Sequence, residues 1–350
     1  MTELLSFFAA PAEYCRTATA AQWTAFLQQA RQQGMTARFY FVLNQLDLLD
    51  AVPEQVVEHG LSGALYAQKQ QHMLFYELSL LEPLITALPF PCLLLKGAAY
   101  RALALPVSFG RLFSDIDLLV PAEKLKLVRD KLFFLGFQEI KLNAYDRDYY
   151  LNWSHQNPPL VHYQRGTVID LHHHIYPSAS AKKINILPLF DNAAAMAGSD
   201  IKVPSYPHLF IHAAVHLFYQ EESHKLVKDL IDLNDLLNLL GTEQELSALQ
   251  QQSKLMSVQN AVSDACRVLA RLFDNTQADR YLQLHGLQKT PSLASFLIIK
   301  MLGGKKSSRW LAHQLWYIRG HMLKMRLQVL LYQTAAKPLH AVWRWVSGKS

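Results

Sequence analysis

Two aspartates one residue apart stand inside the apolar run Asp115-Ile-Asp-Leu-Leu-Val120, and a third, Asp170, stands in Thr167-Val-Ile-Asp-Leu-His172. In an extended chain alternate side chains share a face, so Asp115 and Asp117 project together while Ile116 and Leu118 point into a core. Carboxylates at that spacing repel each other unless a cation sits between them or one stays protonated. Hard oxygen ligands so arranged suit Mg²⁺, which keeps several waters and binds through one or two carboxylates plus substrate phosphates. Asp170 is likewise an acid among apolar neighbours, and burying it unpaired costs several kcal/mol. Three such acids on two strands can build a two-metal site that orients a nucleoside triphosphate for in-line displacement. A strand end with solvated acids is the simpler reading of Asp-x-Asp alone. Gly97, opening a helix eighteen residues earlier, and the later acid favour the metal site.

The elements that must position these acids can be read from the hydrophobic period. Trp23, Phe26, Leu27 and Ala30 keep the spacing of a core-facing helical stripe, and Leu74, Leu78 and Leu81 repeat it before Pro89 and Pro91. The period then changes: Cys92-Leu-Leu-Leu95 is a short apolar run bounded by Pro and Gly, the mark of a buried strand. Residues 97–104 predict a helix, Pro106 to Gly110 a loop, and Ile116 with Leu118–Val120 a second strand. Pro121 starts a helix with Leu125, Val128, Leu132 and Leu135 as its buried stripe and Gly136 as its cap. Strand-like pieces follow at 137–142, 160–164 and 167–172, with a polar loop over 145–159, and after Pro207 the chain is helical to its end. The class is α/β or α+β.

The combination Leu94-Leu-Lys-Gly-Ala-Ala99, Gly110-Arg111, Asp115-Ile-Asp-Leu-Leu-Val120 and Ile169-Asp-Leu-His172 resembles the uncharacterised bacterial nucleotidyltransferase family of the DNA polymerase β superfamily, over roughly residues 20–240. The resemblance implies an α+β fold, a mixed sheet carrying nucleotide and divalent metal, with a helical segment before it and a helical domain after it. The chain then divides into an N-terminal helical segment (1–90), a nucleotidyltransferase core (91–205), a helical domain (206–300) and a basic, aromatic tail (301–350). Carried over position by position, Asp115 and Asp117 look like the metal-ligand pair and Asp170 like the third acid; the resemblance assigns no general base, for which Asp170 is the best candidate. Gly97 corresponds to the glycine beside the phosphates, where a side chain would block close backbone approach. The wider superfamily has Gly-Ser or Gly-Gly after its first strand; here Lys96-Gly97-Ala98 stands instead, so Lys96 is expected on phosphate as a point charge. Arg111 neutralises the same phosphates or pairs with Asp115, and Ser114 donates to phosphate or simply begins the strand. Relatives carry an acid near Asp232, with no catalytic role implied.

Fifteen histidines raise the question of zinc. His172 and His174 share a strand face near Asp170; His172 either orients that acid by a hydrogen bond or ligates the metal. His208, His212 and His216 fall at i, i+4 and i+8, which reads as a polar helix face lining a nucleotide or acceptor cleft, or as a zinc grip in a metallohydrolase, although no HExxH accompanies them. Lys228 and Asp232 form an i, i+4 ion pair.

The charge balance is uneven. A net +6 over 350 residues conceals a body of 22 basic against 28 acidic residues, because the last acid is Asp279 and residues 280–350 carry twelve Lys or Arg. Leu311, Leu315, Ile318, Met322, Met325 and Val329 follow a helical stripe in that tail, and Trp343 and Trp345 flank Arg344. The stripe packs on the body, lies on anionic lipid, or sits beside phosphate backbones with its aromatics stacking. A 51% hydrophobic, 18% charged composition excludes a disordered chain. No apolar run is long enough to span a bilayer, the N-terminus lacks a secretory pattern, and three cysteines without CxxC indicate no disulfide framework or cysteine zinc site. Cytosol is the expected compartment. Two function classes result: an Mg²⁺-dependent (or Mn²⁺-dependent) nucleotidyltransferase taking an NTP and an unidentified hydroxyl acceptor, or a non-catalytic scaffold acting through 305–350 at anionic membrane or RNA.

Overall fold

A computed structural model describes residues 2–196 and 198–324. Its centre is a mixed seven-stranded sheet in the order β3-β4-β5-β2-β1-β7-β6, formed by β1 (Leu93–Leu94), β2 (Ile116–Leu119), β3 (Phe137–Glu139), β4 (Leu160–His162), β5 (Val168–His172), β6 (Ala194–Ala195) and β7 (Lys202–Val203). Every residue of β1 and β2 is buried, Asp117 included, which is why these segments read as apolar runs without alternation. β2 pairs antiparallel with β1 and parallel with β5. The parallel register sets Asp117 directly beside Asp170.

Helices surround the sheet. The N-terminal ones form an aromatic core in which Phe7, Tyr14, Trp23, Phe26 and Phe39 meet largely edge to face, a geometry favoured by the ring quadrupole. The helix Ala20–Gln33 has a capping box between Thr19 and Gln22 and ends at Gly34 in the left-handed region. The longest helix, Glu54–Thr86, buries Leu74, Leu78 and Leu81 as the spacing predicts. Gly110 joins this helical segment to the sheet. Its φ is +66°, and a Cβ there would lie 2.6 Å from the backbone of Ala37 and Arg38, so only glycine fits. C-terminal to the sheet, Tyr206–Tyr219 and Leu226–Asn238 lead a helical array that continues through Lys306–Lys324.

Four differences from the sequence reading have physical causes. The segment 145–159 is not all loop: Asn143 caps a helix Ala144–Asn152 by accepting from the Asp146 N–H, and the polarity of that helix hid its period. β6 and β7 are two residues each, too short to leave a pattern. Pro121 precedes a 3₁₀ turn, the α-helix proper is Leu125–Phe134, and its last predicted stripe residue, Leu135, is exposed. The tail stripe is inverted. In the helix Lys306–Lys324 the buried face is Ala312, Trp316 and Gly320, whereas Leu311, Leu315, Ile318 and Met322 face solvent; Met325, Val329, Trp343 and Trp345 lie outside the described residues. No helix among the described residues is long and apolar enough to cross a membrane.

Candidate nucleotide and metal site

Asp117 lies within β2 and is paired in register with Asp170 of β5, while Asp115 stands just before the strand and outside the Asp117–Asp170–His172 group. Asp117 is 2% exposed, yet it has two partners: the Lys96 ammonium donates to its Oδ1 at 2.8 Å, and His172 Nε2 lies 2.8 Å from the same oxygen. Burial by itself would raise this carboxyl, but Lys96 and His172 outweigh burial and hold it below the ordinary range. Lys96 in turn would be pushed down by burial, and is instead raised by Asp117, Asp115 and Asp170. It reaches this position from a backbone with φ +45°, unusual for a residue with a side chain. The cation demanded by the repelling acids is thus present in the chain itself.

It does not suffice. Asp170 accepts from Gln156 at Oδ2, 2.9 Å away, while its Oδ1 is buried and has no partner. Burial raises the Asp170 carboxyl, with Asp117 and Asp115 adding to the effect against His172. Oxygens of Asp117 and Asp170 and a ring nitrogen of His172 lie within 4.8 Å of one another. An orphaned carboxylate oxygen beside a second carboxylate fits a divalent cation, since such an ion supplies the missing partner and lowers the repulsion. His172 Nδ1 is also buried without a partner. Asp115, one pleat away, contributes charge to both Lys96 and Asp170.

Two clefts meet at Asp115, and Asp117 lines the first of them. The first, about 290 Å³, runs from Lys96, Gly97 and Asp117 to His212, His216 and Lys228. The second, about 280 Å³, lies between the helix Glu54–Thr86 and the β4–β5 turn, with Tyr66, Met73, Phe113 and Thr167 among its walls. Ser114 and Asp115 border both. At Gly97 a Cβ would sit 2.2 Å from Arg111 Nη1 and 2.9 Å from the Phe113 ring, so glycine here admits the Arg111 side chain to the cleft wall.

Arg111 does not pair with Asp115. Its Nε donates to Asp232 Oδ2 at 3.2 Å, and its guanidinium lies 5.6 Å from the Tyr100 ring centre. Asp232 also receives Lys228 at 3.1 Å, the expected i, i+4 pair, and the buried Arg38, which bridges to Asp235. Sequence reasoning missed Arg38, whose place in a helix of aromatic and apolar neighbours gave no sign of its partners. It missed Gln156 too, in the segment read as uninformative loop. Of the histidine stripe, His212 and His216 line the first cleft as a polar face, while His208 bonds Ser205 instead. Burial, then Lys96, holds His212 well below the ordinary histidine range, so its imidazole is neutral.

The profile of a family described as uncharacterised nucleotidyltransferase matches residues 19–274. The chain belongs to this family. The match covers the N-terminal helices, the sheet and the helices that carry His212 and Asp232, and so takes in every residue of the site. No curated protein sequence matches the chain.

Proposed function

We propose that this nucleotidyltransferase-family protein transfers a nucleoside monophosphate from an NTP to a hydroxyl acceptor and releases pyrophosphate, in the cytoplasm, with Asp115, Asp117 and Asp170 as ligands for Mg²⁺ (or Mn²⁺). The observation that carries the reading is the buried, unpartnered Asp170 Oδ1 paired in register with Asp117, which itself lines a cleft rich in cations. When bound there, the ion would neutralise phosphate oxygens and lower the barrier to displacement at the α-phosphorus.

The chain's own groups divide the remaining work. Lys96, Arg111 and Lys228, with Lys225 at the rim, hold the triphosphate in the first cleft, and Ser114 donates to a phosphate oxygen. The neutral His212 and His216 add hydrogen bonds. The acceptor approaches along the second cleft, between Tyr66, Met73 and Phe113. Its hydroxyl oxygen attacks the α-phosphorus, the new O–P bond forms as the bond to the pyrophosphate oxygen breaks, and the proton passes to Asp170. His172 keeps Asp117 oriented.

The test incubates the full chain with α-labelled NTPs, Mg²⁺ and a cell extract, and follows label incorporation. Wild type is expected to label an acceptor and the Asp115→Ala/Asp117→Ala variant to label none. Equal labelling by both removes the catalytic reading. The second reading, a scaffold of the same fold, is favoured by the exposed apolar stripe of the helix Lys306–Lys324. It predicts partner binding that survives the aspartate substitutions.

A further inference from the structure

The helix Lys306–Lys324 is anchored along one side only. Trp316 is fully buried against Phe218 at 6.3 Å between ring centres, Arg319 donates to the Phe218 carbonyl at 2.7 Å, and Lys324 pairs with Glu221 at 2.7 Å. These contacts fix the rotation of the helix. They leave Leu311 (51% exposed), Leu315 (43%), Ile318 (54%) and Met322 (65%) on the opposite side, in an i, i+4, i+7, i+11 row. Trp310 beside the row is 65% exposed. An apolar row of this length on an anchored helix is a surface shaped for a partner, whereas singly scattered apolar residues need no explanation.

Charge identifies the partner. The chain enters the helix through Lys305, just before it, Lys306 and Arg309, all exposed and without an acidic partner among the described residues; Lys305 and Arg309 stand in line with Ala312 and Trp316, at the end of the helix rather than within the apolar row. No carboxylate occurs anywhere from residue 280 onward, and Arg326, Lys337, Arg344 and Lys349 follow in sequence. We infer that this face docks on an anionic lipid surface, the aliphatic row entering the boundary between headgroups and acyl chains and the lysines and arginines meeting lipid phosphates. A nucleic acid fits less well. The row is aliphatic, and phosphate backbones and bases reward cations and stacking rings in the contact itself. A second copy docked tail to tail would bring cation against cation. The inference stands independently of nucleotidyl transfer, because none of these residues belongs to the acid cluster. Its placement has a consequence for that chemistry: the segment gripped by the helix, residues 218–224, continues into Gln220, Glu222 and His224 of the first cleft, so docking sets the cleft close to the membrane.

Sedimentation of the full chain with vesicles tests this. Wild type is expected to pellet with vesicles of phosphatidylcholine mixed with phosphatidylglycerol and to remain in solution with phosphatidylcholine alone, and added salt is expected to weaken the binding. Leu311→Glu/Ile318→Glu should lower the bound fraction at least about tenfold, since a charge at membrane depth is strongly disfavoured. Lys305→Glu/Lys306→Glu/Arg309→Glu should do the same without touching the row. Both variants alter exposed side chains, and near-ultraviolet dichroism checks that they fold. Indifference of wild type to anionic vesicles overturns the inference, as does undiminished binding by the first variant. So does a result in which that variant instead abolishes binding to single-stranded RNA or dissolves a dimer seen by gel filtration.

Discussion

Two clusters of carboxylates, each centred on one buried acid (Asp232 and Asp117), border the first cleft, and they are built to opposite rules. Around Asp232, three acids (Asp229, Asp232, Asp235) meet three cations (Arg38, Arg111, Lys228), every acid within salt-bridge distance of at least one. Around Asp117, three acids (Asp115, Asp117, Asp170) share the single ammonium of Lys96, and Asp170 keeps an oxygen with no partner. The first cluster matches each carboxyl with a cation; the second sets one ammonium against three carboxyls, one of them with its proton affinity raised by burial. A saturated cluster ties the N-terminal helices to the sheet and to the helix Leu226–Asn238. An unsaturated one has capacity left for a cation. Buried charge alone therefore does not mark a site; incomplete pairing does.

The largest contrast is expected in catalysis. Asp115→Asn/Asp117→Asn removes the charge that would hold the ion, and transfer of labelled NMP should fall by at least about a thousandfold, in the range seen when transition-state charge stabilisation is lost. Stability is a separate readout: Asp117→Asn should cost stability, because buried Lys96 and His172 lose their carboxylate, whereas Asp170→Asn should change it little or raise it, because repulsion with Asp117 and Asp115 is relieved.

The saturated cluster should behave in the reverse sense. Asp232→Asn leaves Arg38 and Arg111 buried with too little countercharge, and urea denaturation should register a loss of about 3–5 kcal/mol. The pH dependence separates the cases further. Burial would raise the Asp232 carboxyl, but Lys228, Arg38 and Arg111 outweigh it and hold the group below its ordinary value. A depressed carboxyl contributes stability that is present above the unfolded-state pKa of about 3.9 and is lost as pH falls below it. The Asp232→Asn variant should lack that part of the acid-induced decline. Should Asp170→Asn destabilise the fold as much as Asp232→Asn does, the distinction between the two clusters fails.

Metal provides a smaller, sharper comparison. At an Mg²⁺ concentration about a hundredfold above its dissociation constant, linkage predicts roughly 2.7 kcal/mol of added stability. Thermal unfolding with and without Mg²⁺ should show the gain in wild type, lose it in Asp170→Asn, and keep it in Asp232→Asn at whatever lower midpoint that variant has. A gain retained by Asp170→Asn would place the ion elsewhere.

Much of this was legible in the sequence, and what was not has a consistent cause. The apolar runs around Asp115, Asp117 and Asp170 announced buried strands carrying acids, and the parallel register turned that expectation into adjacency. Partners distant in sequence were illegible: 194 residues separate Arg38 from Asp232 and 121 separate Arg111 from it, so neither pairing leaves a local pattern. Lys96 was read as a phosphate contact, and nothing short of the fold shows it 2.8 Å from Asp117. The tail stripe was visible as a helical period, but period tells only that a face is apolar. Which face a helix buries is decided by its neighbours, and Trp316 against Phe218 decided it against Leu311 and Ile318.

His172 offers the finest test, because it separates orienting a ligand from being one. Its Nε2 lies 2.8 Å from the Asp117 oxygen that also receives Lys96, and its Nδ1 has no partner. If the ring only orients Asp117, a side chain that still donates a hydrogen bond from that direction should preserve much of the effect. His172→Gln is then expected to weaken Mn²⁺ binding, followed by electron paramagnetic resonance, by about tenfold, and His172→Ala by up to about a hundredfold, the span found for groups behind a ligating side chain. A ring bonded directly to the ion would leave a spectroscopic trace of nitrogen coupling to Mn²⁺, and both substitutions would then reduce affinity as severely as Asp170→Asn. That outcome would move His172 from the side of the cluster that holds Asp117 in place to the side that completes it, and the ligand set would be two carboxylates and a ring nitrogen.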